Sequence, residues 1–211
     1  MNRFIILIFM LMLIMPVADA DNKQLQEAIG KELKTKMKEF KRGKWELFGS
    51  DRTLEAALQQ HYATLNALGD DGREYIGIVS RFKSKSIGHR MAVNNVCFVY
   101  AQRAASYLKS CMKSELTAEG SDVEAEFEHF YSSYEQHVER EFKGILQESF
   151  SIIRCIGRND EYEMQSFFIV NEADATRLRV CAIQDALTES EAVQQHAQRI
   201  SEFVKEGLAK E

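Results

Sequence analysis

Proline is almost absent from this chain: Pro16 is the only one among 211 residues. A proline-free run of this length tolerates long helices and lacks the punctuation of a loop-rich sandwich. The short signatures of catalysis are missing too. There is no Gly-x-Ser-x-Gly elbow, no phosphate-cradling glycine loop and no His-Glu-x-x-His pair. No Cys-x-x-Cys spacing occurs, which removes the commonest zinc and redox patterns. Beyond residue 15 no apolar run is long enough to span a bilayer. The net charge is −5 and the pI about 5.7, which argue against a nucleic-acid binder.

What is present begins with a leader. Arg3 gives a positive start, Phe4 to Met15 is uninterruptedly apolar, and Ala18-Asp19-Ala20 places small residues at a cleavage position before Asp21. Residues 1–20 are therefore expected to leave as a signal peptide, and 21–211 to form a single domain in the periplasm or outside the cell. The lack of an Asn-x-Ser/Thr sequon fits the periplasm slightly better.

The mature part holds Cys97, Cys111, Cys155 and Cys181. An even cysteine count in an exported chain reads as two disulfides. If 97–111 is helical, its two cysteines lie about 21 Å apart along the axis, far beyond bonding reach. Folding the chain back near residue 119 then suggests Cys97–Cys155 and Cys111–Cys181.

The stretch from Ser121 to Cys155 reads as the spine of the fold. Ser121 and Glu124 form a capping box. Val123, Phe127, Phe130, Tyr134, Val138, Phe142 and Ile145 then recur at helical spacing, with glutamates opposite. A second long helix from about Gly88 to Leu116 precedes it across a short loop, predicting an antiparallel pair. Leu54, Leu58, His61, Leu65 and Leu68 mark a shorter helix after the turn at Gly49-Ser50-Asp51. Residues 75–79 suit strand or helix. Asn171 is a candidate cap for a helix over 172–187, and Thr188 to Glu191 a capping box for a last helix.

The expected fold class is accordingly all-α: a single disulfide-stapled bundle of about five to six helices. The alternative is α+β, with a short C-terminal meander over 148–183, its strands being 148–156, 162–170 and 176–183.

Residues 23–41 form a first amphipathic helix whose polar side is basic. Lys31, Lys34, Lys36, Lys38, Lys41, Arg42 and Lys44, followed by Trp45, make a possible surface for a partner or a membrane, while the chain after Lys44 is strongly acidic. Glu126 and His129 have the Glu-x-x-His spacing of di-iron bundles, but in one copy facing away from the apolar stripe. No catalytic residue, metal or cofactor is expected. The reading that follows is an exported, non-enzymatic interaction protein: an inhibitor, an immunity-type factor or a secreted effector. Its rivals are a lipid-surface protein using helix 23–44, and a hydrolase using His61 or His196.

Overall fold

The computed structural model describes residues 17–116, 121–157 and 160–189, in two compact units, Met1–Lys44 and Trp45–Glu211. The described part of the first is one helix, α1 (Val17–Arg42), with Lys41 and Arg42 in its last turn, where cations suit the helix dipole. Residues 1–16 of the expected leader lie outside the described residues, and α1 runs through the expected cleavage position.

The second unit is a four-stranded antiparallel sheet with helices on both faces. In chain order come β1 (Glu46–Phe48), α2 (Leu54–Leu68), β2 (Gly72–Phe82), α3 (Lys85–Leu116), α4 (Ser121–Ile145), β3 (Gln147–Cys155), β4 (Tyr162–Asn171) and α5 (Glu172–Leu187). The sheet order is β1-β3-β4-β2. Thr53 caps α2 by accepting from the Ala56 amide, and Asn171 caps α5 by accepting from that of Ala173.

Strand β4 explains why these segments do not read as alternating. Met164, Phe168 and Val170 face the long helices, whereas Phe167 and Ile169 face α2, and all five are buried. A strand covered on both sides shows a continuous apolar run rather than a period of two. On the α2 side, Phe150 stacks on Phe167 with centroids 4.4 Å apart, and His61 meets both rings edge-on. On the other side, α3 and α4 pack as an antiparallel pair along Val96 to Met112 and Phe127 to Phe142. Full burial of each such aromatic or aliphatic side chain is worth about 1.5–3 kcal/mol before entropy is counted.

The fold class expected from sequence is thus corrected: the domain is α+β, not an all-α bundle. The helical spine ends at Ile145, and the chain from Gln147 extends because β-branched Ile152 and Ile153 find partners in β4 and β1. The α+β alternative has the right class, and its strands 148–156 and 162–170 correspond to β3 and β4, but its third strand, 176–183, lies inside α5. The second neighbour of β4 is β2, far upstream in sequence.

The disulfide staple is corrected too. None of Cys97, Cys111, Cys155 and Cys181 is in a disulfide. The proposed pairs assumed that 146–155 prolonged a helical rod. Instead β3 carries Cys155 to the end of a strand opposite Tyr162, where it is exposed. Cys97 is buried among the α3–α4 core, and burial pushes its thiol up to about 11. Cys181 is exposed on α5.

Candidate interaction surface

Gly77 sits where α3 crosses β2 at close range: a Cβ there would lie 2.3 Å from the Ala92 carbonyl oxygen. Only glycine lets helix and strand backbones approach so nearly. Tyr75, Gly77 and Val79 therefore point under α3, and Glu74, Ile76, Ile78 and Ser80 point to the opposite face. Helix α2 covers that face as far as Glu74, whose carboxylate meets the buried His61 Nε2 at 2.6 Å. Beyond it Ile76 and Ile78 are 39% and 54% exposed.

Four further large apolar residues are exposed on α3: Ile87, Met91, Phe98 and Val99. At 3.6 residues per turn they occupy one sector of the helix centred near Asn95. The Asn95 side-chain amide donates to the Ile78 carbonyl at 3.3 Å, so this sector borders the outer edge of β2. Every exposed large hydrophobic among the described residues belongs to this strand and helix.

The charge here is as uneven as the polarity. From Tyr75 through Ser114 the sequence contains no Asp or Glu, but seven bases: Arg81, Lys83, Lys85, Arg90, Arg103, Lys109 and Lys113. Lys85 lies 4.9 Å from the Tyr162 ring centre, and Lys109 pairs with Glu128 at 2.5 Å. Arg81, Lys83, Arg90 and Arg103 are exposed with no carboxylate in ion-pair distance among the described residues. Reading everything after Lys44 as acidic hides this island. The missing acids over forty residues were the signal that would have found it.

The basic surface expected on the first helix belongs to the other unit. Lys31, Lys34, Lys38, Lys41, Arg42 and Lys44 are exposed, and Lys36 pairs with Glu39 at 3.8 Å. Trp45 opens the sheet unit, half-buried, its ring 4.5 Å from the Arg154 guanidinium.

A polar groove of about 390 Å³ runs beside α4, lined by His129, Ser133, His137, Arg140 and Glu189 among others. Ser133 donates to Glu189 at 2.5 Å, and His137 Nε2 meets the same carboxylate at 3.3 Å. Arg140 donates to His137 Nδ1 at 3.1 Å. The Ser133 hydrogen bond, followed by His137, holds the Glu189 carboxyl below the usual carboxylate range. A nucleophilic serine needs an adjacent general base, most often an imidazole, as proton acceptor, but this hydroxyl and this imidazole both serve one carboxylate. The constellation ties the turn after α5 to α4. Ser190 and Glu191 of the expected capping box, and the last helix it would open, lie outside the described residues.

Of the hydrolase candidates, His61 is buried on the inner side of α2 and His196 lies outside the described residues. No group of three His, Cys, Asp or Glu suited to a metal exists among the described residues. No helix there is long and apolar enough to cross a membrane.

The chain is thus an α+β protein whose candidate site is a surface: an open sheet edge bordered by apolar and basic side chains. Comparison with known families, curated proteins and solved structures finds no match.

Proposed function

We propose that this is an exported, non-enzymatic interaction protein that binds a macromolecular partner through the β2–α3 face. One observation carries the reading. Six exposed large apolar side chains and an acid-free island of bases coincide on a single strand and helix. Contiguous exposed apolar patches on soluble domains mark interaction sites, and charges around them select the partner. Inhibitor, immunity-type factor and secreted effector are the roles such a surface serves.

A photo-crosslinking residue placed at Phe98 tests this in extract from the source cell, with Arg140, exposed on α4, as the control position. A discrete adduct from position 98 alone, lost when Met91→Glu is added, is the expected result. Equal labelling from both positions, or turnover of a substrate by the purified chain, defeats the reading.

A second reading rests on the exposed lysines of α1. Cosedimentation with anionic vesicles should then fall with Lys34→Glu, Lys38→Glu and Lys41→Glu together, while Phe98→Glu leaves it unchanged.

A further inference from the structure

We infer that the free edge of β2 takes up an extended, acidic segment of a partner polypeptide as a fifth strand. The inference rests on the β2–α3 face being the interaction surface and specifies how that face is used. In a strand the N–H and C=O of one residue point the same way, and successive residues alternate. The Asn95 bond shows that the Ile78 carbonyl points outward. Without a register shift between Gly72 and Ser80, the backbone groups of Glu74, Ile76 and Ser80 point outward as well. Tyr75, Gly77 and Val79 are the residues that bond β4.

The edge is unusual in being left long and apolar. Natural sheets shorten, charge or cover their edge strands, because unpaired amides and carbonyls recruit other chains. The opposite edge, β1, has three residues, whereas β2 has eleven. Its outer side is interrupted by the Asn95 bond and by the bulge at Ser80/Phe82, where Arg81 takes φ 60°. Up to that bulge Gly72–Ser80 runs without a register shift, with Ile76 and Ile78 below the edge and Met91, Phe98 and Val99 above it. A strand laid there sends alternate side chains onto each apolar flank, which is the recognition mode of strand addition.

Charge complementarity identifies the occupant. Arg81 and Lys83 sit at the end of this strand, Arg90 and Arg103 are exposed on the helix beside it, and all four lack acidic partners among the described residues, so the incoming strand carries Asp or Glu between its apolar positions. A second copy would bring the acid-free stretch from Tyr75 to Ser114 against itself. A bilayer would leave the outward amides without acceptors.

The test uses the full mature chain and synthetic peptides alternating Val with Glu, with Lys or with Ser, read by fluorescence anisotropy and residue-resolved amide exchange. The Val/Glu peptide should bind at least about tenfold more tightly than Val/Lys. In its presence exchange should slow at the Glu74, Ile76 and Ile78 amides and stay as before at Tyr75 and Gly77. Ile76→Pro removes one outward donor without touching the β4 ladder, and should weaken binding about tenfold while Ile76→Val leaves it within about twofold. Asn95→Ala frees the Ile78 carbonyl and should tighten binding.

No binding at millimolar Val/Glu peptide overturns the inference, as does binding indifferent to Ile76→Pro or protection without the alternation. Dimerisation of the free chain with the same alternation overturns it in favour of a second copy. If strand pairing fails but Phe98→Glu still abolishes adducts from a crosslinker at Met91, the docking face stands without it. If that variant has no effect, both fall.

Discussion

The ring of Tyr100 lies flat on that of Phe142, centroids 3.6 Å apart and planes 7° from parallel, and its hydroxyl accepts a hydrogen bond from Arg179. One stacked pair thus joins α3, α4 and α5. Arg179 is 2% exposed and donates further to Glu172 and Thr176, each at 2.8 Å. Burial alone would lower the pKa of the guanidinium. The neighbouring Tyr100 and the bond to Glu172 outweigh it and raise that pKa above the ordinary value.

Removing one member of this buried pair strands the other. Arg179→Met should therefore destabilise the domain by about 3–5 kcal/mol, since Arg73 approaches Glu172 only to 4.0 Å. Adding Glu172→Leu should restore a large part of the loss. Urea denaturation of the two variants measures both, and a double variant no better than the single would show that packing, not charge, is decisive.

Backbone contact between strand and helix sets a second expectation. Gly77→Ala must move either Ala92 or the strand, at a cost of about 1–3 kcal/mol. That corresponds to a fall in Tm of several degrees for a domain of this size. Gly144→Ala, where a Cβ meets nothing within 4 Å, should hold or raise Tm.

Thiol chemistry reports directly on the corrected cross-links. With a colorimetric disulfide reagent the native protein should label Cys155 and Cys181 rapidly, because both are exposed. Cys97 should react only on unfolding, being 2% exposed with its thiol raised. Four titratable thiols in denaturant without reductant confirm the free state. None would restore the stapled architecture.

Alkali should unfold this protein by titrating its core phenols. Burial raises Tyr75, Tyr100 and Tyr134, and takes Tyr131 from 10.0 to about 12. The folded state favours the neutral form of each, so their contribution is whole below pH 10. It is lost as pH climbs from there through about 12. Tyrosinate absorbance and circular dichroism followed together should show these phenols ionising only as helix content collapses. Full ionisation with the helix signal intact would contradict the packing.

Legibility in sequence followed the range of the interactions. Helices α3, α4 and α5 were readable because their hydrogen bonds close within four residues, and the aromatic stripe from Phe127 to Phe142 shows which side is buried. The segment 75–79 was ambiguous because its fate depends on β4, some ninety residues downstream. Both-sided burial weakened the alternation of β3 and β4, so 148–156 and 162–170 read as strands only in the alternative fold. The disulfide expectation rested on an even cysteine count and on a rod continuing past Ile145, where the chain instead turns into β3.

Local periodicity and composition alone therefore settled where the long helices run, and which of their faces turn inward. Only the assembled tertiary structure decided that a sheet forms, that β2 is left at its edge, and that apolar and basic residues from strand and helix meet there. A helix carries its own bonding partners, whereas a strand acquires them from distant chain. An exposed surface has no repeating pattern until the core beneath it is built.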